Sequence, residues 1–187
     1  MTGSALAPVA TSFPLWQYSA MPVASHVSHA SKELVYRELC EQARGLFAAE
    51  RDGLANAANL TALIYAALPD LNWVGFYFLQ REELVLGPFQ GKVACVRIAL
   101  ARGVCGTAAA RRQTIVVPDV HAFPGHIACD AASRSEIVVP LIGAGRLLGV
   151  LDLDSPSPSR FDDDDRAGLE AIAALLVNGS DLDRCAT

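Results

Sequence analysis

The chain has 187 residues, 52% of them hydrophobic and 19% charged, with a formal net charge of −5. That length suits one domain with a core of its own, and the composition excludes a disordered polymer. Only Lys32 and Lys92 are lysines among fifteen basic residues, and no basic stripe is present, so nucleic acid is not an expected partner.

Residues 1–31 contain no Asp, Glu, Lys or Arg, and Pro8, Pro14 and Pro22 interrupt them. A secretory signal needs a basic start and an unbroken apolar core, and a mitochondrial presequence needs arginines. Neither pattern is found, no run approaches a membrane span, and a cytoplasmic location is expected. Residues 1–30 are expected to form a loosely ordered extension from which Phe13, Leu15, Trp16 and Tyr18 can dock on the domain. The domain itself is expected over 31–178, followed by a tail at 179–187. Five cysteines in such a compartment read as reactive, metal-binding or buried thiols in preference to structural disulfides.

A helix begins at Ser31, its N-cap, and buries Val35, Leu39, Ala43, Leu46 and Phe47 at helical spacing. Gly53 is expected to end it. A second helix over 54–68 turns Leu60, Leu63, Ile64, Ala67 and Leu68 inward and stops at Pro69. Strands follow at 72–79, 84–89 and 94–99, the third containing Cys95. Residues 103–112 predict a short helix and 114–117 a fourth strand. After a long loop at 119–135, runs at 137–142 and 147–153 form a hairpin. A last helix starts near Asp162 and turns Ile172, Leu175 and Leu176 inward. Helices at both ends and hairpin-linked strands between them predict an α+β domain: a central antiparallel sheet with helices packed on one face and the site loops on the other.

The candidate chemistry lies between residues 95 and 154. Cys105 sits between glycines, and Cys95 and Cys129 lie ten positions before it and twenty-four after it. Taken alone, each is as readily a buried apolar cysteine. Asp152 and Asp154 are two apart in a predicted strand and share one face, while Leu151 and Leu153 take the other. Acids in an otherwise apolar strand are costly unless paired or meeting a cation, although such a pair also marks a strand end at the surface. His121 and His126 with Cys105 and Cys129 include metal-ligand types, but no C-x-x-C or H-x-x-x-H pair accompanies them. The acidic run 162–165 lacks the glycine and closing glutamate of a calcium loop, and fits a helix N-terminus better. No metal or cofactor is expected.

Six pieces of the chain share a pattern: NWVGFY (72–77), LVLGPFQGKVAC (84–95), GVCGTAA (103–109), VPDVHAFPGHIACD (117–130), SEIVVPL (135–141) and LDLDS (151–155). Together they resemble the free methionine-(R)-sulfoxide reductases, which are single GAF domains. The resemblance implies a reductase acting on free methionine (R)-sulfoxide. It implies that Cys129 attacks the sulfoxide sulfur and becomes a sulfenic acid. A second thiol, with Cys95 favoured over Cys105, then condenses with it to a disulfide. Thioredoxin reduces that disulfide. It further implies that Glu136, Asp152 and Asp154 hold the substrate ammonium and hydrogen-bond the sulfoxide oxygen, that Trp73 packs on the substrate side chain, and that the protein pairs as a homodimer. His126 beside Cys129 would favour the thiolate. Cys40 is expected in helix packing and Cys185 as a mobile tail thiol. The rival reading is a non-enzymatic GAF module that senses a small ligand; a zinc-stabilised interaction module is a third.

Overall fold

The computed structural model describes residues 32–127 and 130–186, so the extension, Ser31 and Cys129 lie outside the described residues. The described chain runs α1 (Lys32–Ala49), α2 (Gly53–Ala67), β1 (Trp73–Gln80), β2 (Glu83–Gly91), β3 (Arg97–Ala99), α3 (Gly103–Arg111), β4 (Ile115–Val117), a 3-10 turn (Val120–Ala122), β5 (Ser135–Gly143), β6 (Arg146–Ser155) and α4 (Asp163–Gly179). The strands form one antiparallel sheet in the order β3-β2-β1-β6-β5-β4. This is the predicted α+β architecture.

Strand alternation divides the sheet into two faces. Val74, Phe76 and Phe78 of β1, Ile137, Val139 and Leu141 of β5, and Leu151 and Leu153 of β6 enter one core with α1, α2 and α4. The opposite face presents Trp73 and Tyr77 of β1, Val138 of β5 and Val150 of β6. It is covered by α3 as well as by loops, through Val104, Cys105, Ala108 and Ala109. The site face therefore carries a helix of its own, with Cys105 on the side turned toward the sheet.

Two boundaries differ from the expected ones, each for a local reason. Gly53 starts a helix instead of ending one: α1 ends at Ala49, and the Asp52 side chain caps α2 by accepting from the Ala55 amide at 2.9 Å. The third strand is confined to Arg97–Ala99, and Cys95 lies in the loop before it. The aspartate run behaves as expected of a helix start. Asp162 and Asp165 form a capping box on α4, and Asp165, fully buried, binds Tyr36 of α1 at 2.8 Å and Arg160 at 3.1 Å. The residues after α4 are packed: Leu182 and Ala186 join the helix-side core, and Cys185 is half-buried against it, which replaces the expected mobile tail thiol. Cys40 is buried in α1, as helix packing requires. Among the described residues no helix is long and apolar enough to cross a membrane.

Candidate active site

The sheet register assembles the acids. Trp73 of β1 is paired with Asp154 of β6, and Asp154 with Glu136 of β5, so these three side chains form one row across the site face. The next row is Gly75, Asp152 and Val138. Residues two apart on a strand share a face, which places Asp152 beside Asp154 and Glu136 diagonal to Asp152. Glu136 and Asp152 are 5% and 6% exposed, although carboxylates are rarely buried.

Burial pushes all three carboxyls well above the usual carboxylate range, and repulsion among them adds to it: Asp154 acts on Glu136, Glu136 on Asp152, and Asp152 on Asp154. Glu136 and Asp152 are also in side-chain hydrogen-bond contact. Cys105 reaches the cluster from α3, and its Sγ donates to Asp152 Oδ2 at 3.1 Å. Burial, then the neighbouring carboxyls, push that thiol up too, so Cys105 is held as a neutral hydrogen-bond donor and not as a thiolate. The second oxygen of Asp152, Oδ1, is buried and receives no hydrogen bond from an N–H, hydroxyl or thiol among the described residues. An unsatisfied buried acceptor of this kind is uncommon in native folds and points to an outside donor. Cys105, Glu136 and Asp152 offer ligand atoms within 4.8 Å of one another and are the group here able to hold a metal; His121, exposed on the surface, is not among them.

His126 turns its Nε2 toward Glu136 Oε2 at 3.6 Å. Desolvation lowers its pKa and so favours the neutral ring, while burial raises that of the acid it faces. The distance exceeds a hydrogen bond. The expected neighbour of His126, Cys129, lies outside the described residues; what is described is the approach of the ring to Glu136.

Trp73 is 3% exposed and forms the aromatic wall. Its indole stacks on Phe89 at 5.6 Å and on Tyr77 at 6.0 Å between centroids, and its Nε1 donates to the Lys92 carbonyl at 3.0 Å. The indole lies over Gly75, where a Cβ would come within 2.4 Å of it. Gly103, at φ +59° at the head of α3, lets the chain pass under Ile127, which also lines the site. Trp73, Cys105, His126, Glu136, Asp152 and Asp154 thus surround one small cavity. The only described part of the residue 129 region is its flanks. On its C-terminal side Asp130 is held by Asn72 Nδ2 at 3.3 Å, Lys92 Nζ at 3.2 Å and the Ala132 amide at 2.9 Å. Hydrogen bonding and these positive and amide partners lower the Asp130 pKa.

Several polar residues at the cavity were not singled out from sequence. Ser133 lines it, hydrogen-bonds Asp154 and receives Asn72 Nδ2 at 2.9 Å. Asn72 and Asp130 tie the loop to the start of β1. Single polar residues in loops have no periodicity to reveal them; Asn72 and Asp130 at least lie inside the NWVGFY and GHIACD segments, while Ser133 lies outside every quoted segment.

Residues 32–178 match the GAF domain family. The free methionine-R-sulfoxide reductase of Escherichia coli is 53% identical over 146 residues, spanning 78% of this chain and 88% of its own. The X-ray structure of free methionine-R-sulfoxide reductase from Neisseria meningitidis in complex with its substrate superposes with a TM-score of 0.80 at 46% identity, covering 86% of this chain and 96% of its own. A crystal structure from Burkholderia vietnamiensis, named as a GAF sensor protein, has a TM-score of 0.79 at 64% identity and covers 81% and 96%.

Proposed function

The chain belongs to the free methionine-R-sulfoxide reductase family within the GAF fold, and on that footing we propose that it reduces free methionine (R)-sulfoxide by thiol chemistry in the cavity between α3 and the sheet. The observation that carries this reading is the acid cluster beside the Trp73 wall, buried Glu136 and Asp152 with half-buried Asp154, in which one Asp152 oxygen receives no hydrogen bond.

The three clustered carboxyls repel one another, and a substrate ammonium relieves that repulsion while giving Asp152 Oδ1 a donor. A carboxyl whose pKa is raised holds its proton to higher pH than an ordinary one and can donate it to the sulfoxide oxygen, which makes the sulfur electrophilic. Trp73 packs on the substrate's thioether end, as aromatic walls do in small-ligand pockets. Cys129 attacks the sulfur as a thiolate. The oxygen passes to Cys129 with a proton, leaving methionine and a sulfenic acid. Cys95 then attacks the sulfenic sulfur; water leaves and a Cys95–Cys129 disulfide forms. A dithiol protein of the thioredoxin type reduces that disulfide and is itself oxidised. Cys105, neutral and bonded to Asp152, acts as an internal donor to the acids and not as the resolving thiol. We assign the reaction to a cytoplasmic homodimer in which residues 32–178 form the catalytic unit.

Anaerobic incubation with dithiothreitol and free methionine (R)-sulfoxide, with methionine measured, tests the reading. Methionine should form from the free (R) sulfoxide and not from the (S) form or from peptide-bound sulfoxide, which lacks the ammonium. Equal rates on an N-acetylated sulfoxide would remove the role given to the acids. Binding of the sulfoxide with no methionine released would place the chain among ligand-sensing GAF domains.

A further inference from the structure

Val93 and Val96 are 86% and 64% exposed, the two highest values among the large hydrophobic side chains of the described residues. They flank Ala94 and Cys95, which are half-buried and pack toward the site-face core. The loop that carries them is fixed. Trp73 Nε1 donates to the Lys92 carbonyl, Tyr77 Oη to the Cys95 carbonyl, and the Leu86 amide to the Val96 carbonyl, each at 3.0 Å. The valines are therefore held outward by an anchored backbone. On either side the charges are paired, Lys92 with Asp130 at 3.2 Å and Arg97 with Glu83 at 3.3 Å. An apolar centre within a polar rim is the anatomy of a protein-docking patch.

We propose that Val93 and Val96 form the docking edge for the dithiol protein that re-reduces the enzyme, a thioredoxin-type partner with an apolar surface around its reactive cysteine, and that this partner attacks at Cys95. The proposal rests on the reading above, in which Cys95 resolves the sulfenic acid. Val96 adjoins Cys95 and Val93 is two residues from it, within about 7 Å along the chain. A protein thiolate that reaches Cys95 brings its own surface close to Val93 and Val96, which project from the same anchored loop, whereas a small thiol does not. The partner thiolate attacks Cys95 Sγ, the Cys95–Cys129 bond breaks, and the electron pair leaves on Cys129, which takes a proton from solvent. The partner's second thiolate then attacks the mixed disulfide and releases the Cys95 thiolate. The enzyme gains two electrons, and the partner ends as a disulfide.

The test compares two reductants on the full chain. The double variant Val93→Ser/Val96→Ser should turn over with dithiothreitol at the parent rate, while its KM for thioredoxin, supplied with thioredoxin reductase and NADPH, rises about tenfold. Val93→Ile/Val96→Ile should leave that KM at the parent value. A thioredoxin lacking its second cysteine should be trapped as a mixed disulfide on Cys95, mapped by mass. An unchanged thioredoxin KM in the serine variant, equal losses with both reductants, or an adduct on Cys129 would overturn the docking edge. So would a changed oligomeric state by light scattering with KM unchanged, because a second copy of the chain would then cover the valines. A parent protein that forms no methionine with dithiothreitol would instead remove the underlying reading.

Discussion

The Cys105 thiol donates to Asp152 at 3.1 Å, deep between α3 and β6. This contact joins α3, on the site face, to the acid cluster and decides what Cys105 can do. A buried thiol whose pKa is pushed up by burial and by adjacent carboxyls is a poor nucleophile at neutral pH. Cys105→Ser keeps a donor to Asp152 and should retain kcat/KM within about threefold. Cys105→Ala leaves the carboxyl without it and should lose about tenfold, the scale of one buried hydrogen bond to an ionisable group. Steady-state assays with dithiothreitol and with thioredoxin check both. A serine variant that loses thioredoxin cycling but keeps its first turnover would identify Cys105 as the resolving thiol.

Glu136→Gln and Asp154→Asn should each lower kcat/KM by about a hundredfold or more, as expected for loss of a positioned acid. Thermal unfolding should remain cooperative in both, because each substitution removes one member of a mutually repelling buried set. Parent rates in both variants would mean that the acids do not meet the substrate.

Stability against pH follows from the same cluster. Glu136, Asp152 and Asp154 bind protons more tightly folded than unfolded, since burial raises each above its ordinary value of 4.5 or 3.8. Their contribution is fully present below those ordinary values and is lost as pH rises through the raised folded ones. The substrate-free protein should therefore lose melting temperature steadily above about pH 4 from this source. Glu136→Gln copies the protonated acid and should flatten that decline, so the variant gains on the parent most at pH 7–8. Differential scanning fluorimetry across pH 4–8 measures it; parallel curves for the two proteins would contradict the shared-cluster account.

Much of this architecture was legible from alternation. Leu151, Asp152, Leu153 and Asp154 read as one strand with an apolar and an acidic face, and the structure places the leucines in the helix-side core and the acids at the cavity. The partnership of Glu136 with Asp154 was not, because register between distant strands is a tertiary property. Residues 94–96 read as the start of the third strand because their apolar run continues into Arg97–Ala99. Their carbonyls instead accept from Tyr77 and from the Leu86 amide, and the valines face solvent. Gly53 read as a helix stop because glycine punctuates helices, whereas the Asp52 cap makes it a helix start. The approach of His126 to Glu136 had no signal in the sequence, because the two are brought together by a loop and a strand that are distant along the chain.

Gly75 gives a steric test of the aromatic wall. Gly75→Ala puts a methyl 2.4 Å from the Trp73 ring and 2.6 Å from Phe89 Cβ, so the indole must shift. The cost should be about 1–3 kcal/mol of stability, the usual range for overpacking. KM for the sulfoxide should rise more than kcat falls, because Trp73 packs on the substrate without touching the transferred oxygen. A fall in kcat at unchanged KM would place Trp73 outside the binding wall.

The division of labour between Cys129 and Cys95 is the central claim, and a rapid-quench burst assay without added reductant measures it most directly. Each variant is mixed with free methionine (R)-sulfoxide, methionine is counted per enzyme, and intact mass scores disulfide and dimedone adducts. Cys129→Ser should release no methionine even in the first turnover. Cys95→Ser should release about one equivalent, form no Cys95–Cys129 disulfide, and carry a dimedone-reactive sulfenic acid. A full burst from Cys129→Ser together with none from Cys105→Ser would move the nucleophile to Cys105 and contradict the account.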